Sequence, residues 1–224
     1  MDWTKHPLPA MRHEARFGDR VVPAFVDRPK SLWAMVEQAA ARNPEGEALI
    51  CGERRMRWRE TRGAGGRVAG GFEALGIEPG GRIASRIGTR VEFVLAMFAA
   101  AQLGAICAPL STRLQTPEIA YALNDCGAKL LIHEQDFADR IPAAADMPTV
   151  EECVTLSGRG AAIPFETIQS ASSRRTPTPV SEEDTAMLLY TSGTTGKPKG
   201  ALLAHCNIVH SAMVFELTMG LTQA

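Results

Sequence analysis

Apolar residues recur along this chain in two rhythms, one of short unbroken runs and one of helical spacing. The first thirty residues follow neither. They hold Pro7, Pro9, Pro23 and Pro29 and predict an extended N-terminal arm, residues 1–30, lying on the body. Ser31 then caps a helix whose Leu32, Met35, Val36 and Ala39 share one face, and Asn43-Pro44 stops it. Residues 47–51 and 54–58, split by Gly52-Glu53, predict a small hairpin. A helix over 59–75 follows, with Val68, Phe72 and Leu75 at helical spacing. Its glycines (Gly63, Gly65, Gly66, Gly70 and Gly71) imply either close packing against a neighbour or a weak helix start.

From residue 82 the alternation is regular. Strand 82–87 leads to a helix opened by Thr89 and Glu92 as a capping box and stopped by Gly104. Strand 105–109 follows, then a helix that begins at Thr116-Pro117-Glu118, with the proline in its first position, and ends at Gly127. Strand 129–133 completes two strand–helix–strand units. The expected fold class is therefore α/β: a doubly wound, mostly parallel sheet flanked by helices, with the arm and hairpin added at the N-terminus. A further strand is expected within 149–156. Residues 157–184, rich in Ser, Thr, Pro and charge, predict a surface excursion inside a domain spanning 31–224. Strand 186–190, a polar loop, a second apolar run over 201–204 and a helix over 207–217 close the pattern. On that last helix Ile208, Ser211, Ala212 and Phe215 lie on one side.

Composition changes this picture little. Hydrophobic content of 45%, charged content of 22% and a net charge of -1 describe an ordinary globular protein and give no reason to expect nucleic acid or an anionic membrane as partner. The basic cluster Arg54, Arg55, Arg57, Arg59, Arg62 and Arg67 reads as a solvated helix face and the turn before it. Five cysteines without a CxxC pair suit buried thiols in a reducing cytoplasm. The longest apolar run, 93–110, is interrupted by Gln102, Gly104 and Pro109, and divides into a helix and a strand instead of inserting in a membrane. A cytoplasmic location is expected.

The loop after strand 186–190 carries the chemistry. Thr191, Ser192, Gly193, Thr194, Thr195, Gly196, Lys197, Pro198, Lys199 and Gly200 combine four hydroxyls, three glycines and two lysines, with no acidic residue. Glycines let backbone amides turn toward one point and approach a ligand closely. Hydroxyls and an ammonium add donors there, as a polyphosphate requires. The alternative, an exposed polar turn, explains that density of donors poorly. Pro198 fixes the backbone between the two lysines and separates their tasks, and Lys199 is the expected phosphate ligand. The spacing is not that of a Walker loop, because Lys197 is followed by proline and not by Ser or Thr. His205 and Cys206, adjacent in a helix, diverge by about 100° and cannot form a nucleophilic dyad.

Residues 191–200 resemble, at all ten positions, the signature phosphate loop of the adenylate-forming (AMP-binding) superfamily: acyl- and aryl-CoA synthetases, peptide-synthetase adenylation domains and firefly luciferase. Three upstream segments are also similar. Residues 56–60 match a Thr-Tyr-x-Glu element, with Trp58 in the aromatic place. Residues 75–84 match a Leu-Gly … Gly-Asp-Arg-Val-Ala segment, with Gly81 replacing the aspartate. Residues 104–114 match a Gly-Ala … Pro-Leu-Asn-x-Arg segment, with Ser111 replacing the asparagine. That last form leans toward acyl-CoA synthetases, of the kind that serve fatty acid metabolism.

The resemblance implies ATP and Mg2+ as the nucleotide pair, a small carboxylic acid as substrate and coenzyme A as thiol acceptor. A carboxylate attacks the α-phosphate, an acyl-adenylate forms, and a thiol then takes the acyl group. It also implies that the chain corresponds to the N-terminal portion of such an enzyme, with the catalytic residues of the family outside 1–224 and no turnover by the chain alone. Here His205 and Asn207 would start a helix and support the loop. A sheet cut short would leave edges open to self-association. Two other readings stand beside this one: a non-catalytic truncated homologue serving as a binding module, and an unrelated ATPase or kinase with an unusual phosphate loop.

Overall fold

The computed structural model describes residues 9–158, 162–191 and 197–221. Eleven strands and six α-helices follow one another among them. An N-terminal ribbon pairs β1 (Met11–Arg16) with β2 (Arg20–Phe25), and α1 (Leu32–Arg42) follows. A second small hairpin joins β3 (Glu47–Cys51) to β4 (Arg54–Arg57) and runs directly into α2 (Trp58–Ala74). The alternating part comprises β5 (Arg82–Arg86), α3 (Val91–Leu103), β6 (Ile106–Pro109), α4 (Thr116–Cys126) and β7 (Leu130–Glu134). Two short 3-10 turns lead to β8 (Glu152–Leu156), β9 (Ile163–Pro164), α5 (Phe165–Gln169), β10 (Thr185–Thr191), β11 (Lys199–Ala204) and α6 (His205–Thr218).

The central sheet runs β11-β10-β6-β5-β7-β8-β9, parallel at every described pairing except β10 with β11. The strand period of two sorts its side chains into two cores. Ile83, Cys107, Leu130, Ile132, Val154 and Leu156 pack beneath Val68 and Phe72 of α2 and Leu95 and Leu103 of α3. Ala84, Ala108 and Leu131 face the opposite way, toward Ile119, Ala122, Leu123 and Cys126 of α4. This is the expected doubly wound α/β sheet.

Several local readings change. The N-terminal arm contains an antiparallel ribbon over 11–25, held to the body by ion pairs: Arg28 Nε meets Glu182 Oε1 at 2.6 Å, and Arg28 Nη2 meets Glu14 Oε2 at 2.7 Å. Burial alone would push Glu182 up, but Arg28 and Arg16 outweigh it and leave its carboxyl below the usual range. Ser31 caps α1 as expected, its Oγ accepting from Ala34 N at 3.1 Å, yet Trp33 and Ala40 take the buried places assigned to Met35 and Ala39. Trp58 opens α2 instead of ending β4, because the Glu60 carboxylate accepts from Arg57 N at 2.8 Å. The Thr89–Glu92 box does not form: α3 starts at Val91, and Glu92 pairs with Arg54. At α4 the cap is Gln115, whose N–H reaches Glu118 at 2.8 Å, and Pro117 moves to the second helical position.

The described residues of 157–184 make contacts that their composition does not indicate. The short α5 buries Phe165 and Ile168 against α2. Arg174 N then donates to Gly66 O at 2.9 Å, and Thr178 N donates to Gln102 O at 2.9 Å. The expected surface excursion is thus a strap laid across α2 and α3. This settles why α2 is rich in glycine. An added Cβ would meet Trp33 at Gly65, Ser173 at Gly66, Ser172 at Gly70 and Ile168 at Gly71, so the helix surface is kept bare for close neighbours. Close packing, and not a weak helix start, accounts for Gly65, Gly66, Gly70 and Gly71. On α6 the stripe is also displaced. His205 and Val209 are buried, whereas Phe215 is 64% exposed and Ser211 faces solvent.

Candidate functional site

Parallel strands bring their C-terminal ends to one edge of a sheet, where ligands of open α/β folds bind. β10 runs parallel to β6, with Met187 opposite Cys107, so Tyr190 and Thr191 emerge at that edge. There β10 meets β11 in a hairpin whose register sets Thr191 opposite Lys199 and Tyr190 opposite Gly200. Of the candidate residues, the structure brings Thr191 and Lys199 together at the hairpin mouth, with Thr191 Oγ1 donating to Lys199 O at 3.4 Å. Both side chains are exposed, and Pro198 is half-buried. Lys199 has no side-chain partner among the described residues. Lys197 turns toward α4, its Nζ 5.3 Å from the centre of the Tyr121 ring. Ser192, Gly193, Thr194, Thr195 and Gly196 lie outside the described residues.

The stem of this hairpin is fastened to α4. Leu188 and Tyr190 pack on the α4 core, and Tyr190 Oη reaches Asp125 Oδ2 at 2.7 Å and Ala122 O at 3.1 Å. Burial first, and then the adjacent Asp125 carboxylate, push the Tyr190 phenol well above the ordinary tyrosine value, so it remains a hydrogen-bond donor. Gly200 leaves room for this arrangement, because a Cβ there would lie 3.0 Å from Leu188 Cδ2. The pairs with Asp125 and Tyr121 could not be read from spacing, since those residues lie some 65 positions from the loop on an ordinary amphipathic helix.

Two further groups shape the same edge. Arg86, at the end of β5, is fully buried and donates to the carbonyls of Phe137 (2.9 Å), Thr112 (3.0 Å) and Leu114 (3.2 Å), with its guanidinium 4.8 Å above the Phe137 ring. Burial first, and then Arg140, lower its pKa. Glu134, at the end of β7, accepts from Gly88 N at 2.6 Å and pairs with Arg90 at 2.7 Å. An arginine at the end of a buried strand is the sequence signal for the first of these groups. Together they fix the loops after β5 and β6 in place.

His205 opens α6 immediately after the hairpin. Its Nδ1 accepts from Leu32 N at 3.2 Å, which satisfies an amide in the first turn of α1 and requires that nitrogen to be unprotonated. Asn207 Oδ1 accepts from Ala204 N at 2.9 Å. Both residues therefore support structure, as their places at a helix start implied. Burial lowers the His205 pKa below 6.5. Its contribution to stability is thus complete above pH 6.5 and is lost as pH falls from there through the lower folded-state value. Thermal melts of the wild type should show a midpoint that falls between pH 7 and 5, with a shallower fall in His205→Gln, which keeps an acceptor but cannot titrate. Equal slopes would contradict this role. Cys206 beside it is held up as a thiol, chiefly by burial.

Among the described residues no group of three or more His, Cys, Asp or Glu side chains is placed to hold a metal ion, and no helix is long and apolar enough to cross a membrane.

The described strands and helices define an α/β protein with Thr191 and Lys199 paired at the C-terminal edge of its parallel sheet, and comparison with known proteins specifies the family. The sequence profile described as AMP-binding enzyme matches residues 36–223, and the chain belongs to that family. It is 33% identical over 181 residues to a feruloyl-CoA synthase of Amycolatopsis sp, covering 81% of this chain and 35% of that protein. It is 35% identical over 189 residues to the long-chain-fatty-acid–CoA ligase FadD13 of Mycobacterium tuberculosis (strain ATCC 25618 / H37Rv), covering 82% and 36%. Among solved structures it resembles the anthranilate CoA ligase AuaEII in complex with anthranoyl-AMP (TM-score 0.74, 26% identity, 80% of this chain and 36% of that one). It also resembles the inhibitor-bound N-terminal domain of FACL13 from Mycobacterium tuberculosis (TM-score 0.72, 31% identity, 79% and 44%). The chain spans about a third of the length of these curated relatives.

Proposed function

We propose that this chain is the polyphosphate-binding N-terminal portion of an AMP-forming acid–thiol ligase of the acyl-CoA synthetase type. The observation that carries the reading is the β10–β11 hairpin, which presents Thr191 and Lys199 at the C-terminal edge of the parallel sheet, at the two ends of the donor-rich segment. In the whole ligase a carboxylate oxygen attacks the α-phosphorus of ATP. The new P–O bond forms as the anhydride bond to the β-phosphate breaks, and pyrophosphate leaves with that electron pair. A thiol sulfur, that of coenzyme A, then attacks the acyl carbon and AMP departs.

The loop that runs from Thr191 to Lys199 would hold the β- and γ-phosphates throughout the first step, through its backbone amides, its hydroxyls and Lys199. The Lys199 ammonium and the hydroxyls would take up the charge that grows on the departing pyrophosphate. Magnesium, typical of this family, would accompany the nucleotide. Relatives named for feruloyl and for long-chain fatty acyl groups support a carboxylic acid as substrate without selecting one. Five free thiols support a cytoplasmic setting.

Pyrophosphate–ATP exchange with a panel of carboxylates tests the division of labour. The 224-residue chain is expected to bind polyphosphate without catalysing exchange, and robust exchange would overturn that assignment.

The edge of β11 supports a second expectation. Leu202 is 63% exposed on that strand, and Phe215 and Met219 of the adjoining helix region are 64% and 63% exposed. Such an edge invites pairing with another copy. Sedimentation of the chain should show concentration-dependent association, and a clean monomer at high concentration counts against it.

A further inference from the structure

The two ends of the hairpin tip are held by one short stretch of α4. Tyr190, which precedes Thr191, bonds to Asp125, and Lys197, two residues before Lys199, sits over Tyr121. Tyr121 and Asp125 are one helical turn apart and share a face. They also contact each other, with Tyr121 Oη 3.4 Å from Asp125 Oδ1. The carboxylate therefore serves both tyrosines, one at each oxygen. We infer that Tyr121 and Asp125 are positioning residues for the phosphate-binding hairpin, and that Lys197 is its clasp and not a phosphate ligand. This inference rests on the polyphosphate reading of the hairpin and deepens it by assigning separate tasks to the two lysines.

Three features of the geometry support the division. The Lys197 ammonium is occupied by an aromatic face, whereas the Lys199 side chain is exposed and without a partner among the described residues. Pro198 stands between them and fixes its own φ, so the two side chains cannot readily exchange roles by a local backbone shift. The Tyr190 bond holds the β10 end in register opposite Gly200, and the Lys197 contact holds the segment that enters β11. Without the clasp the Lys197–Lys199 segment would have to be held by the ligand itself, and binding would weaken by the cost of that ordering.

The test uses the full 224-residue chain and reads trypsin cleavage after Lys199, resolved by mass spectrometry, without ligand. Trypsin does not cut the Lys197–Pro198 bond, so cleavage at Lys199–Gly200 reports local opening of the hairpin. Tyr121→Leu and Lys197→Gln should accelerate it by about two- to fivefold, the size of an exposed cation–π contact. Tyr121→Phe keeps the ring and Lys197→Arg keeps the cation, and both should stay closer to the wild-type rate. Thermal midpoints of the Lys197 variants should be unchanged, because the side chain is exposed. A pyrophosphate titration completes the test: Lys197→Gln should lose no more than about fivefold in affinity, well short of the loss in Lys199→Ala. Equal cleavage of wild type, Tyr121→Leu and Lys197→Gln would overturn the clasp, as would equal loss of pyrophosphate affinity in the two lysine variants. Failure of the wild type to bind pyrophosphate would instead refute the polyphosphate reading, and the ligand-free cleavage rates would still decide whether the clasp exists.

Discussion

Gly71→Ala should lower the melting temperature by up to roughly 8 °C, while Gly63→Ala in the same helix should raise it by about 2 °C. The two substitutions are chemically identical, and in an isolated helix each would gain about 1 kcal/mol from the better propensity of alanine. Their surroundings reverse the sign of one. A Cβ at Gly71 would lie 2.8 Å from the Ile168 carbonyl oxygen and 3.0 Å from its Cα, so α5 and its buried Phe165 and Ile168 would have to move as a unit. Overpacking of that kind costs about 1–3 kcal/mol and occasionally more, which exceeds the propensity gain. Gly63 faces only the end of the Arg67 side chain at 3.7 Å, an ordinary contact. Calorimetric melts of the two variants separate a packing role for these glycines from a flexibility role. Equal stabilisation by both substitutions would show that the strap over α2 is not held as described.

Strands β5, β6 and β7 were legible because each is short, largely buried on both faces and set off by a glycine or a polar turn, as at Gly104 and Gly127, whereas the two-residue β9 gave no signal. The N-terminal ribbon was not legible. Its Met11–Arg16 strand is mostly exposed and charged, Pro23 interrupts the other strand, and what fastens it is Glu182, more than 150 residues away. The Thr89–Glu92 capping box failed for a related reason. The pattern was correct, but Arg54 of the small hairpin competes for the Glu92 carboxylate, and a local rule cannot anticipate that partner. On α6, apolar residues surround most of the helix, so spacing does not select the buried face, and the side that carries Phe215 is exposed there.

The candidate site divides in the same way. Thr191, Lys197, Pro198 and Lys199 stood out as candidates by residue type and spacing, because the polyphosphate proposed here would need donors and close backbone approach. The groups that position them did not. Tyr121, Asp125 and Tyr190 are unremarkable in sequence, and Arg86 gives a signal only as a charge within a buried strand. Their significance lies in contacts made across the sheet edge, which only the fold brings together.

Lys199→Ala should weaken pyrophosphate binding by roughly tenfold to a hundredfold, the equivalent of one charge-assisted hydrogen bond worth about 1.5–3 kcal/mol. Three or four such bonds supply much of the roughly 8 kcal/mol of a micromolar complex. The loss should appear mainly in affinity and leave the fold intact, because the Lys199 side chain is exposed and supports nothing else among the described residues. High salt should erode the wild-type affinity and shrink the difference between the two proteins, as screening acts on an exposed cation. An unrelated ATPase with an unusual loop would instead hydrolyse ATP without any carboxylate, and would lose that hydrolysis in Lys199→Ala. The most direct measurement is a calorimetric titration of pyrophosphate into the wild-type chain and into Lys199→Ala at low ionic strength. A micromolar isotherm for the wild type that weakens at least tenfold in the variant is the predicted result. No saturable binding to the wild type, or equal binding to both, would contradict the assignment of this hairpin as the polyphosphate grip.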